Sequence, residues 1–141
     1  MIFRRRDKIE IKTPAQFDLM RKAGLVVCHT LQRIVDETGP GVTTADLDRI
    51  AREELARAGA QPSFLGYYGY PAVICASVND EVVHGIPGER ALVDGDIISI
   101  DFGAIVDGWH GDSAVTIEVG ECRPEQTQLS TVTQDSMWAG L

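Results

Sequence analysis

Residues 97–117 read I-I-S-I-D-F-G-A-I-V-D-G-W-H-G-D-S-A-V-T-I, and the fold turns on this stretch. Two β-branched apolar runs flank Asp107-Gly108, the strongest short hairpin signal in the chain. If these two residues form the loop, Val106 faces Trp109, Gly103 faces Asp112 and Asp101 faces Ala114. Side chains alternate along a strand, so Asp101, Gly103 and Asp112 share one face. The two carboxylates become diagonal neighbours, about 7 Å apart at the backbone, with Gly103 leaving room between them. Like charges on one face of an apolar hairpin resist desolvation unless a proton or a cation joins them. A bound pair of divalent ions answers that need with oxygen ligands. Two aspartates at solvated strand ends are the alternative, and a three-residue loop would flip the parity and part them. His110 is on the face of Asp112, as a further ligand, a group behind the ligands, or an outer hairpin residue.

At 141 residues the chain is one domain's worth. Thirteen basic against 21 acidic side chains leave a net charge of −8, which argues against nucleic acid as a specific partner. Cys28, Cys75 and Cys122 are odd in number and widely spaced, as expected of reduced thiols in a cytoplasmic protein. No apolar run follows the charged start M-I-F-R-R-R-D-K, and none approaches the length of a membrane span, so no membrane partner is expected. Arg4, Arg5 and Arg6 form a solvated tail or a ribosome contact.

Ile9 and Ile11 alternate with Glu10 and Lys12, predicting a short edge strand that closes a tail over residues 1–12. Thr13-Pro14-Ala15-Gln16 is a helix start with a capping box. Helical spacing of Phe17, Met20, Val27, Leu31 and Ile34 continues to the breaker Gly39-Pro40-Gly41. His29 lies within this helix as a structural or exposed residue. A second helix starts at Thr43-x-x-Asp46 and stops at Gly59.

Phe64, Tyr67, Tyr68 and Tyr70 crowd the glycine-rich loop 60–71, either as a pocket for a small apolar group or as rings pinning the loop to the core. Residues 72–78 predict a buried strand, and His84 follows at its end against Gly85 and Pro87, where a scaffold presents functional or structural side chains. After Pro124 a third helix begins and is still running at Leu141. The chain lacks a G-x-S-x-G elbow, a phosphate loop, a dinucleotide fingerprint and H-E-x-x-H. A Cys75–His84 nucleophile pair is disfavoured because Cys75 is mid-strand, where a small buried hydrophobe belongs.

The segments S-V-N-D-E-V-V-H-G-I-P (77–87), I-S-I-D-F-G (98–103) and D-G-W-H-G-D-S-A (107–114) resemble type I methionine aminopeptidases. So do I-E-I-K-T-P (9–14) and G-Y-Y-G-Y-P (66–71). The resemblance implies an α/β (α+β) architecture: half of a pita-bread fold, an antiparallel sheet covered on one face by two long helices. Residues 13–141 would be its N-terminal half, ending early in a helix. It implies metal-dependent removal of the N-terminal methionine of nascent polypeptides by two divalent ions (Co, Mn, Fe or Zn). The full-length enzyme would be a monomer. Asp101 and Asp112 match metal ligands, and His84 matches a catalytic histidine that contacts substrate. Tyr67, Tyr70, Cys75 and Phe64 match residues lining the methionine pocket. The family's other ligands, a histidine and two glutamates, have no match in these residues, so the chain alone is expected to be inactive. A non-catalytic binding module and an aminopeptidase P-like enzyme are the competing readings.

Overall fold

The computed structural model describes residues 9–141. Helix α1, Pro14–Glu37, opens with the expected box: Gln16 N–H donates to Thr13 Oγ1 at 3.3 Å and Thr13 N–H to Gln16 Oε1 at 2.8 Å. Helix α2, Thr44–Ala58, repeats the device with Thr43 and Asp46, and ends where Gly59 takes φ +62°. Four strands follow, β1 (Gln61–Pro62), β2 (Ile74–Val78), β3 (Ile97–Val106) and β4 (Trp109–Glu118), with a turn of 3₁₀ helix at Tyr67–Gly69 between the first two. Helix α3, Pro124–Gly140, closes the chain.

The sheet is antiparallel and centred on β3. β4 pairs with it along all ten residues, so β2 and β1 share the other edge end to end, opposite residues 98–102 and 104–105. The hairpin has the two-residue loop at Asp107-Gly108, both with positive φ, and the register opposes Val106 to Trp109, Gly103 to Asp112 and Asp101 to Ala114. Both helices lie on one face. Ile98, Ile100, Phe102 and Ala104 point into that face and are fully buried against Val27, Leu31 and Ile34 of α1 and Leu47, Ile50 and Leu55 of α2. Gly111, opposite Ala104, lets α1 cross close to β4: a Cβ there would stand 2.7 Å from the Ala23 carbonyl carbon. The odd-numbered residues of β3, Asp101 among them, occupy the face away from the helices.

Three expectations need correction. Residues 9–12 form no strand; residues 1–8 of the expected tail lie outside the described residues. Ile9 and Ile11 remain exposed, so the alternation has no buried face to reward it, while Lys12 pairs with Glu10 at 2.8 Å and covers the Trp109 ring. β2 begins at Ile74, not at residue 72. The N–H groups of Val73 and Ile74 turn to Asp48 of α2, at 2.7 and 3.2 Å, before the sheet takes over. His84 is not at the strand end but six residues past Val78, in the loop joining β2 to β3. α3 runs as a helix, yet buries no residue: Leu129, Val132 and Trp138 all face solvent. His29 is exposed.

Candidate metal centre

The register places Asp101 and Asp112 on the helix-free face, and their carboxyls are within hydrogen-bonding reach of each other. Burial pushes the Asp101 carboxyl above the usual carboxylate range, and the charge of Asp112 pushes it further. The charge of His84 pulls the other way, so its imidazole acts on the same carboxylate through space, without a direct ion pair. The chain brings it there by an unusual route. His84 takes φ +58°, a left-handed conformation that disfavours side-chain-bearing residues. The next residue holds it: Gly85 N–H donates to Ser77 Oγ at 3.1 Å, and Gly85 O accepts from Ala76 N–H at 2.8 Å. A Cβ at Gly85 would run into the Ala76 carbonyl, so only glycine lets the loop dock on β2.

The far end of the β2–β3 loop is fastened by Asn79 and buried Asp96. Asn79 Nδ2 donates to Asp96 Oδ1 at 2.7 Å, and Asn79 Oδ1 accepts from Ile97 N–H at 3.0 Å. Burial raises the Asp96 carboxyl, but the Val93 N–H and Asn79 amide outweigh it and hold the group below its ordinary value.

Tyr70 and Cys75 border the pair. The Tyr70 hydroxyl donates to the carbonyls of Ile74 (3.0 Å) and Gly85 (3.1 Å), tying the aromatic loop to β2 and to the His84 loop at once. Burial, the neighbouring Cys75 and the charge of Asp101 push the Tyr70 hydroxyl far up. Burial likewise raises the Cys75 thiol, which remains a protonated, soft, apolar group beside two carboxylates. Phe64 reaches the site from β1: its ring edge would be 3.1 Å from a Cβ at Gly103. The room left by Gly103 is therefore filled by Phe64 and Ser63. Tyr67 stands apart, mostly exposed, with its ring edge-to-face on Tyr68 at 4.6 Å. His110 is exposed and its Nδ1 is 3.0 Å from Ser63 Oγ.

Two residues escaped the sequence reading. Ser63 follows a strand of only two residues, too short to betray its register. Asp48 is buried and accepts from two backbone N–H groups and, at 2.6 Å, from Arg52 Nε. Its i,i+4 spacing to Arg52 was visible but reads equally as a surface pair.

Among the described residues no three His, Cys, Asp or Glu side chains converge as a metal cage; the centre is the Asp101–Asp112 carboxylate pair. The fold is that of the pita-bread class. The match to metallopeptidase family M24 over residues 18–141 confirms it, and the chain belongs to that family. A divalent metal cofactor follows from membership.

Methionine aminopeptidase 1 of Bacillus subtilis is 48% identical over 130 residues, covering 92% of this chain and 52% of that protein. The crystal structure of methionine aminopeptidase from Rickettsia prowazekii superposes with a TM-score of 0.90 at 39% identity, over 93% of this chain and 53% of that one. Aminopeptidase P from E. coli shares the fold alone, with a TM-score of 0.80 at 22% identity over 92% of this chain and 29% of that one. The chain spans about half the length of the curated relatives it matches. Among the described residues no helix is long and apolar enough to cross a membrane.

Proposed function

We propose that this chain carries one part of the active site of a methionine aminopeptidase, acting in the cytoplasm as a monomeric full-length enzyme on the N-terminal methionine of nascent polypeptides. The observation that carries it is the Asp101–Asp112 pair, in a chain 46–48% identical to proteins of that name. Two like-charged carboxylates, Asp101 partly buried and Asp112 exposed, suit divalent cations and would hold two of them. When bound, the ions supply Lewis acidity for hydrolysis of the first peptide bond, with Mn, Co, Fe and Zn as candidates.

The rest falls to the side chains. His84, fixed by Gly85, meets and orients the scissile group. Phe64, Tyr70 and Cys75 offer rings and a protonated thiol to a thioether side chain and keep water from it. Tyr67, in solvent here, would join them only by closing over a bound substrate. The ribosome is the partner that Arg4, Arg5 and Arg6 would meet.

Two carboxylates are too few for a metal pair, so full activity needs ligands beyond these residues. Supplied with Mn²⁺ or Co²⁺, the 141-residue chain should bind metal weakly, with Asp112→Ala abolishing the binding, and cleave Met-Ala-Ser poorly. Absence of Asp112-dependent metal binding would refute the metal assignment. Robust turnover would refute the division of the site, and tight binding without turnover would favour a binding module.

A further inference from the structure

The bond between Ser63 and His110 is unaccounted for by the metal pair or the pocket. Ser63 N–H donates to Gly103 O at 3.0 Å, which carries the β1–β3 register one residue past Pro62 and opposes Ser63 to Gly103. Gly103 faces Asp112 on its other side. Ser63, Gly103 and Asp112 thus form one row across three strands, with side chains on the face of Asp101. His110, two residues from Asp112 on β4, shares that face.

Ser63 and His110 are separated by the whole of β3, yet Ser63 Oγ and His110 Nδ1 are 3.0 Å apart. They meet because the strand between them is bare at Gly103. A Cβ there would stand 2.8 Å from Ser63 Cβ and 2.9 Å from Ser63 Oγ. Phe64, the next residue, lies in the same gap.

We propose that Ser63 and His110 are a positioning pair, a strap across β3 that holds Phe64 against the carboxylate hairpin. Tyr70 anchors the other end of the aromatic loop through Ile74 and Gly85. The loop between them, with Tyr68 at φ +47° and Gly66 and Gly69 also left-handed, is bonded to itself, Tyr67 N–H donating to Phe64 O at 3.0 Å and Gly66 N–H to Tyr70 O at 2.8 Å. The Phe64 wall therefore stands where the strap puts it, and neither residue of the strap touches substrate. Its role in binding methionine rests on the function proposed above; its role in ordering the loop does not.

Amide exchange and L-methionine titration by NMR on the full 141-residue chain test both separately. Ser63→Ala and His110→Ala should each speed exchange at residue 63 and Tyr67, whose N–H groups donate to Gly103 O and Phe64 O, by about fivefold, the factor one ordinary hydrogen bond supplies. The double variant should add nothing further. His110→Asn, which keeps a polar atom near the position of Nδ1, should restore protection; Gly103→Ala, which evicts Ser63, should mimic Ser63→Ala. The Kd for L-methionine should rise by a similar factor while Mn²⁺-induced broadening around Asp101 and Asp112 stays unchanged.

Unchanged exchange in Ser63→Ala, full additivity in the double variant, or failure of His110→Asn to restore protection would each overturn the strap. If the unmodified chain shows no methionine-dependent shifts, the proposed function fails, and the exchange measurements still decide the strap.

Discussion

Replacing Asp101 by asparagine should make the metal-free protein more stable and the metal-bound protein impossible. The substitution is nearly isosteric and removes one of two like charges on the helix-free face of the hairpin. Two unit charges about 5 Å apart repel by about 3 kcal/mol at an effective dielectric of about 20. Asp112 is exposed, and screening there brings the expected gain down to about 1 kcal/mol. For a chain of 141 residues that is about 3 °C in the thermal midpoint.

The pH dependence fixes the cause. Burial and the Asp112 charge raise the Asp101 carboxyl in the folded state, so the folded chain holds this proton more tightly than the unfolded one. The penalty is absent below the unfolded value of about 3.9 and grows as pH rises through the folded value. Wild type and Asp101→Asn should have equal midpoints near pH 3.5 and part as pH rises to neutrality. Asp96 works in the opposite direction, its stabilising effect lost as pH falls through its depressed folded value, but it is common to both proteins. Added Mn²⁺ should raise the wild-type midpoint by mass action and leave Asp101→Asn unmoved. Thermal unfolding in chelator and in Mn²⁺ across pH 3.5–8 measures all of this. A variant less stable than wild type at pH 7 without metal, or a gap that persists at pH 3.5, would refute the reasoning.

Asp48→Ala should cost about 2–4 kcal/mol in urea unfolding, because it strands the N–H groups of Val73 and Ile74 where α2 meets β2. His84→Gly should be about 1 kcal/mol more stable than His84→Ala, since only glycine accepts φ +58° without strain. The reverse order in urea midpoints would show that the loop abandons this conformation once the imidazole is gone.

The fold was legible wherever a local rule has a single solution. Thr13 with Gln16, Thr43 with Asp46, and Gly59 mark helix ends because each satisfies backbone groups within four residues. Asp107-Gly108 fixes the hairpin because few other residue pairs accept two positive φ values, and the parity of Asp101 and Asp112 follows by counting. The alternation at Ile9 and Ile11 misled because a strand needs a partner edge and a buried face, which no pattern of four residues can report. For the same reason α3 could be predicted as a helix, but whether its apolar residues are covered could not.

By itself, then, the order of residues determined the helix caps, the hairpin and the two carboxylates on one face, since these depend on neighbours along the chain or on strand parity. Tertiary structure alone decided what surrounds that pair. His84 is held in its loop because Gly85 docks on Ala76 and Ser77. Tyr70 is fixed to the Gly85 carbonyl, 15 residues away. Ser63 meets His110 across a strand that happens to be bare. Each is a contact between segments distant in sequence, where side-chain identity names the possible bond and only the packed backbone brings its two ends within reach.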